Sequence, residues 1–147
     1  MYLLDTNILS ALALSKNASV NDNRVRQWLI DVSDDLYIST ISVAEIEAGI
    51  AKLSRQGATR KSGELTDWLN GILISYRDRI LPLDLPAARM TGHLLDRAIG
   101  AGGDPDFEDA AIAACAVVSD MTVVTRNARH FHLFDVPFID PYQSLPK

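Results

Sequence analysis

The chain has 147 residues, of which 48% are apolar, and it carries a formal net charge of −5 with an isoelectric point of about 5.0. This length allows one sizeable buried core but not two ordinary domains, so we expect residues 1–147 to form a single domain. The net negative charge argues against a protein that binds nucleic acid through an overall positive charge, unless bound cations make the local charge positive.

Short apolar runs rich in strand-forming residues alternate with longer amphipathic stretches. The predicted strands cover residues 1–4, 36–39, 80–83, 121–125 and, as a weaker pattern, 136–139. The predicted helices cover residues 23–32, 42–55, 63–77, 86–99 and 107–118. Strands and helices that alternate in this way favour βαβ units. We therefore expect an α/β fold in three layers, α/β/α, in which helices cover both faces of a central, mostly parallel sheet.

Polar and glycine-rich segments join these elements. We expect residues 15–22 to form a surface connection between two early helices, because the segment is rich in turn-forming side chains. Four small residues at 100–103 should end one helix before Asp104 and Asp106 begin the next. Residues 141–147 are expected to be a loose end.

The start of the chain and its single cysteine favour a cytoplasmic protein. Asp5 interrupts the first apolar run and no basic segment precedes it, so we expect no secretory signal. No stretch has the roughly 20 apolar residues that a membrane span needs. Cys115 cannot form an internal disulfide and lies in an apolar run, where a buried thiol packs well.

Three acids lie at or near the carboxyl ends of predicted strands. Asp5 directly follows the first strand, while Glu45 and Asp109 lie in the first turns of two later helices. Because ligands bind beyond the carboxyl ends of parallel strands, we expect these acids to gather at one edge of the sheet. Mg²⁺ prefers a few carboxylates together with water, so they are candidate metal ligands. Thr6 and Asn7 could orient Asp5 or hold water.

Each acid also has a purely structural interpretation. Glu45 stands three residues after Ser42, which fits a capping box. Asp109 stands in the same relation to Asp106, and any acid in a first turn is favoured by the helix dipole. Asp5 could cap the first helix. The combination of all three at one edge favours the metal site, because a cation would relieve their mutual repulsion.

A metal in such a place would favour phosphodiester hydrolysis, since it can activate water and offset the charge on a leaving oxygen. The sequence contains no phosphate-binding glycine loop with a lysine, no G-x-S-x-G, no C-x-x-C and no H-E-x-x-H. Nucleophilic catalysis by serine or cysteine therefore has little support.

Four motifs, in chain order, resemble those of the PIN-domain family. They are LLDTN at 3–7, SVAE at 42–45, EDAAIAA at 108–114 and VTRN at 124–127. Within that family the chain is similar to the VapC toxins of type II toxin-antitoxin systems, and to the FitB-like subgroup through RILP at 79–82.

The resemblance implies a compact α/β/α domain that forms a homodimer. It implies that Asp5, Glu45 and Asp109 hold Mg²⁺ or Mn²⁺ and that the protein is an endonuclease acting on RNA. It also implies a VapB-like antitoxin partner, whose tail enters the acid-lined groove while its other end binds operator DNA. Thr125 and Arg126 then become candidates for orienting the ligands or contacting substrate.

One position departs from the family pattern. Many members have a fourth acid after Thr-Arg, where this chain has Asn127, so a second metal should bind more weakly. A catalytically degenerate domain that only binds a partner or RNA therefore stays open. A Mg²⁺-dependent phosphatase is a further alternative, although the usual second Asp two places after Asp5 is missing.

Other charged residues have two interpretations each. Arg126 could contact a phosphate or pair with an acid. His130 and His132 are two residues apart rather than four, so we interpret them as surface residues and not as a metal pair. The densest basic stretch, which could contact RNA phosphates or simply end a solvated helix, comprises Lys52, Arg55, Arg60 and Lys61.

Overall fold

The computed structural model describes residues 1–13 and 18–147. The first part of the predicted connection at 15–22 lies outside the described residues. Its second part is helical rather than irregular, because Ser19 forms a capping box with Asp22 and starts a helix at Val20.

Five strands form one sheet within the described part of the chain. They are β1 (Tyr2–Leu4), β2 (Leu36–Ser39), β3 (Ile80–Leu81), β4 (Thr122–Val124) and β5 (Phe138–Ile139). Their order across the sheet is β3-β2-β1-β4-β5, and every neighbouring pair is parallel. Each strand lies within a predicted run. The third is shorter than predicted, ending before Pro82, which has no N–H to donate.

Seven α-helices surround this sheet within the described ranges. They are α1 (Thr6–Ala11), α2 (Val20–Asp31), α3 (Thr40–Arg55), α4 (Thr59–Ser75), α5 (Leu85–Gly100), α6 (Phe107–Val118) and α7 (Ala128–Phe134). All five predicted helices are present, with shifts of up to four residues at their ends. None of the helices described combines the length and apolar character that a membrane crossing would need.

Two buried clusters lie on opposite faces of the sheet. Leu3 and Val123 pack with α5, α6 and α7, whereas Leu4 and Val124 pack with α1 and α2. Adjacent residues of a strand point to opposite faces, so each short strand contributes to both clusters. The predicted three-layer α/β/α architecture is therefore confirmed. Cys115 is buried in the first cluster, as expected.

The predicted loose end at 141–147 is wrong. Tyr142 and Leu145 pack against the second core cluster. The Tyr142 hydroxyl donates to Asp22 Oδ1 at 3.2 Å, and the Arg126 guanidinium lies 4.2 Å from the Tyr142 ring centroid. The aromatic ring buries apolar surface that a free tail would expose, and this docks the tail beside the ends of β4 and β5.

Candidate metal centre

Asp5 is held at the end of the central strand by both of its carboxylate oxygens. Its backbone N–H donates to the Val124 carbonyl at 2.9 Å, which fixes it beside β4. Oδ1 accepts from the Thr6 backbone N–H at 2.8 Å, so the predicted capping role is real. Oδ2 accepts from the Thr125 hydroxyl at 2.7 Å. Asp5 is only 2% exposed, which makes it a buried and rigidly oriented carboxylate.

The surroundings of Asp5 oppose its negative charge. The pKa of Asp5 is raised from 3.8 to about 6, mainly by burial and also by the charges of Asp109 and Glu45. The hydrogen bonds from Thr125 and Thr6 act in the opposite direction. The negative charge of Asp5 is therefore unfavourable in the folded protein, and a bound cation would stabilise it.

Glu45 is not part of a capping box. The N-cap of α3 is Ser39, whose Oγ accepts from the Ser42 N–H at 3.1 Å, so Ser42 lies inside the helix. This places Glu45 in the second turn rather than the predicted first turn. Its Oε1 accepts instead from the Thr6 hydroxyl at 2.7 Å. The capping interpretation is wrong because a serine three residues earlier takes the N-cap position.

The Glu45 side chain is exposed, and the negative charges of nearby acids act on it. Partial burial raises the pKa of Glu45 and the Thr6 hydrogen bond lowers it. The nearby charges of Asp109, Glu108 and Asp106 raise it again. Glu45 therefore shares one electrostatic neighbourhood with Asp109, as Asp5 does.

A cleft opens beside Glu45, between α1, α3 and α4. It has a volume of about 280 Å³. Its lining residues are Thr6, Ser10, Glu45, Ile46, Gly49, Ile50, Leu53, Leu65 and Trp68. Beyond its chain neighbours and its own helix backbone, a Cβ at Gly49 would meet no described atom within 4 Å, so this face of α3 has open space.

Asp109 lies in the first turn of α6, as predicted, and has an unexpected partner. Its Oδ2 lies 2.8 Å from His130 Nδ1 of α7, and its side chain is 12% exposed. Asp106 is the N-cap residue of α6, but within the described structure its side chain makes no capping hydrogen bond. Ligand atoms of Asp106, Asp109 and His130 all lie within 4.8 Å of one another.

His130 lies at the surface as expected, with 42% of its side chain exposed, but it also contacts Asp109, which its position in the sequence did not predict. The spacing argument tested whether His130 and His132 could share one ion, whereas the actual partner of His130 is on another helix. His132 is exposed, as expected. Among the described residues, the group of three donors within 4.8 Å is Asp106, Asp109 and His130, and it does not include Asp5 or Glu45.

The end of β4 braces the Asp5 side of the centre. Asn7 Oδ1 accepts from the Arg126 N–H at 3.2 Å, and Thr125 Oγ1 accepts from the Asn127 N–H at 2.9 Å while donating to Asp5. Thr125 and Asn7 therefore hold this turn against α1. The Arg126 side chain lies over the Tyr142 ring. This contact differs from both predicted roles of Arg126, which were to bind a phosphate or to pair with an acid.

The donor chemistry at this edge fits a divalent cation. Burial, together with the charges of Asp109 and Glu45, raises the pKa of Asp5 to about 6. Carboxylate oxygens suit Mg²⁺ and Mn²⁺, and a ring nitrogen also suits transition metals. Asp5, Glu45 and Asp109 are therefore residues that could hold such an ion.

The PIN domain family matches residues 2–136 of the chain. Toxin FitB of Neisseria gonorrhoeae is 33% identical over 98% of this chain and 100% of its own length. VapC ribonuclease Y4jK of Sinorhizobium fredii is 31% identical over 97% of this chain and 99% of its own length.

Solved structures agree with these relatives. FitAcB from Neisseria gonorrhoeae superposes with a TM-score of 0.84 and 34% identity, covering 97% of this chain and 99% of that one. FitAB bound to an IR36 DNA fragment gives a TM-score of 0.78 with 31% identity, over 100% of this chain and 99% of that one. On the sequence match, the shared architecture and these relatives, the chain belongs to the PIN domain family.

Proposed function

We propose that this chain is a metal-dependent endoribonuclease and the toxin of a VapBC-type toxin-antitoxin pair, with Asp5, Glu45 and Asp109 as the ligands of Mg²⁺ or Mn²⁺. The observation that carries the proposal is the buried Asp5 carboxylate, whose charge is opposed by the two other acids. The names of the similar proteins, a toxin and a VapC ribonuclease, support the choice of RNA as substrate.

The residues around the acids hold them ready for this role. Bound at this edge, a divalent cation would supply an activated water and offset the charge that develops on the phosphate. Thr125 and the Thr6 N–H fix the two oxygens of Asp5, and the Thr6 hydroxyl fixes Glu45. Carboxylates fixed in this way lose little further conformational freedom on binding.

The net charge makes RNA binding depend on the cation. A chain with a net charge of −5 repels phosphate, and the acids at the sheet edge strengthen that repulsion. Metal binding offsets most of the negative charge of the three acids and presents a cation where the scissile phosphate must lie. The protein should therefore bind RNA weakly in chelator.

The cleft beside Glu45 is a candidate for the antitoxin contact. Its apolar lining and the neighbouring acid suit a peptide with apolar side chains and a basic group. The similar solved structures are FitAcB and FitAB bound to a DNA fragment, and they support an antitoxin partner and an assembly on operator DNA for this chain as well. The cytoplasmic location and the homodimer stay predictions.

End-mapping of total cellular RNA tests the enzymatic proposal without guessing the target. The purified chain is incubated with Mn²⁺, with chelator, or as the Asp109→Asn variant, and Asp67→Asn on the exposed face of α4 is the matched control. Discrete new ends that require metal and Asp109, but not Asp67, are expected. Antitoxin-free protein that makes no new ends would overturn the proposal.

Asn127 supports one rival function. A degenerate domain would bind RNA or a partner without cleavage, and loss of divalent-metal binding would support it. Filter binding of the same RNA, measured beside the end-mapping, separates that outcome from a protein that neither binds nor cleaves.

A further inference from the structure

His130 presents a ring nitrogen to the buried acid of α6. The Nδ1 atom lies 2.8 Å from Asp109 Oδ2, and the side chain is 42% exposed. Asp106 is also close, and its carboxylate is not used to cap the helix in the described structure. Three potential ligands from two helices therefore converge on the side of Asp109 that faces α7.

The spacing of these atoms is close to that of ligands around one ion. Two ligands at about 2.1 Å from a metal lie about 3 Å apart when they subtend a right angle there. The contact between His130 and Asp109 is near that value, and all three ligand atoms lie within 4.8 Å of one another. Small side-chain rotations would place them around a cation.

The solvent can reach this position. A cleft of about 660 Å³ opens beside His130, with Asp104, Arg129 and His132 among its lining residues. A partly exposed imidazole at the edge of such a cleft can exchange a hydrogen bond for a metal without unfolding its helix.

We propose that Asp106, Asp109 and His130 form a second cation position, with Asp109 shared with Asp5 and Glu45, and that His130 makes this position select a transition-metal ion over Mg²⁺. Imidazole is a better ligand for first-row transition metals than for the hard Mg²⁺ ion. The proposal rests on the proposed function, since Asp109 also serves that site.

Mn²⁺ binding to the metal-free chain tests this inference directly. Calorimetry is expected to show two Mn²⁺ sites, and electron spin echo envelope modulation is expected to show coupling to a ¹⁴N ligand. His130→Gln should remove the nitrogen coupling and weaken the second site about tenfold or more. Its Mg²⁺ affinity should change less than about twofold.

Two other variants keep the test decisive. His132→Gln, an exposed histidine on the same helix, should leave both signals unchanged. Asp106→Asn should weaken the second Mn²⁺ about tenfold while the nitrogen coupling persists, and it serves if His130→Gln does not fold. Absence of nitrogen coupling in the unmodified chain, or its persistence in a folded His130→Gln variant, would overturn the inference.

The test is independent of RNA cleavage. Cleavage that needs Asp5 and metal, together with no nitrogen coupling, would leave the proposed function standing and reject the role of His130. Nitrogen coupling in a chain that cleaves no RNA would reject the proposed nuclease activity and leave the role of His130 standing.

Discussion

The Thr6 hydroxyl donates to Glu45 Oε1 at 2.7 Å and so joins the two helices that follow the central strands of the sheet. Ser42 Oγ lies 2.9 Å from the same hydroxyl, so it can donate to Thr6 in return. A single short side chain therefore sets the orientation of one candidate ligand, and its neighbour Asp5 receives the Thr6 backbone N–H.

Thr6→Val should weaken metal binding without unfolding the protein. Valine keeps the shape of threonine but removes the hydroxyl, so Glu45 loses the contact that orients it, and the loss of such a contact costs roughly tenfold in metal affinity. Calorimetry with Mn²⁺ measures this change. Thr66→Val, whose hydroxyl bonds the Ser62 carbonyl within α4, should bind Mn²⁺ normally. Equal affinity in both variants would contradict a positioning role for Thr6.

The metal-free protein should become less stable as the pH rises from about 4 to about 6. The pKa of Asp5 is about 6 in the folded chain and 3.8 ordinarily, so the folded state holds the proton more tightly. The unfolded state ionises first, and the penalty grows until the pH passes the folded pKa. The difference amounts to about 3 kcal/mol at pH 7, as an order of magnitude.

Urea unfolding in chelator at pH 4.5 and pH 7 measures this effect. Asp5→Asn should flatten the difference between the two pH values and should be at least as stable as the unmodified chain at pH 7. Mn²⁺ should stabilise the unmodified chain at pH 7 but not the variant. A pH dependence that is the same in Asp5→Asn would show that Asp5 is not the titrating group.

Filling the cleft beside Glu45 should block the antitoxin while preserving the fold. A side chain at Gly49 has open space within 4 Å of its Cβ among the described atoms, and any residue other than Pro favours a helix over Gly by up to about 1 kcal/mol. Gly49→Leu should therefore fold at least as well, yet occupy the space between α3 and α4.

Co-purification with a candidate antitoxin from the adjoining reading frame provides the measurement. Gly49→Leu should reduce its capture about tenfold or more, since a filled pocket removes a buried anchor. Gly71→Leu, on α4 but outside this lining, is the matched control because its Cβ also meets open space. Normal capture by Gly49→Leu would place the antitoxin on another surface.

The sheet and its two faces could be predicted because the signal is local. Leu3 and Leu4 are both apolar, and two such residues in succession indicate a strand buried on both faces, as found. The N-cap of α3 was harder, because Ser39 and Ser42 are equally good capping residues. The structure chooses Ser39, which leaves Glu45 free to reach Thr6.

The parts of the site that were missed depend on contacts between distant segments. His130 meets Asp109 across 21 residues, and spacing along one helix contains no information on that contact. The docking of Tyr142 onto Asp22 and Arg126 likewise depends on where β5 ends relative to α2. Predicting these contacts needs information on which distant positions of the chain meet, and a single sequence does not contain it.

Asn127→Asp should raise the affinity for Mg²⁺. The residue is exposed at the start of α7, and its backbone N–H is held by Thr125 beside Asp5, so a carboxylate there would add one negative charge near the acids. More carboxylates strengthen the binding of a hard cation, and an acid at this end also suits the dipole of α7. We expect Mg²⁺ to bind several-fold more tightly and Mg²⁺-supported RNA cleavage to increase.

Calorimetry with Mg²⁺ checks the expected gain in affinity of Asn127→Asp, and Asn127→Ala isolates the loss of the amide. An affinity in Asn127→Asp no higher than in Asn127→Ala would mean that position 127 lies too far from the cation to matter.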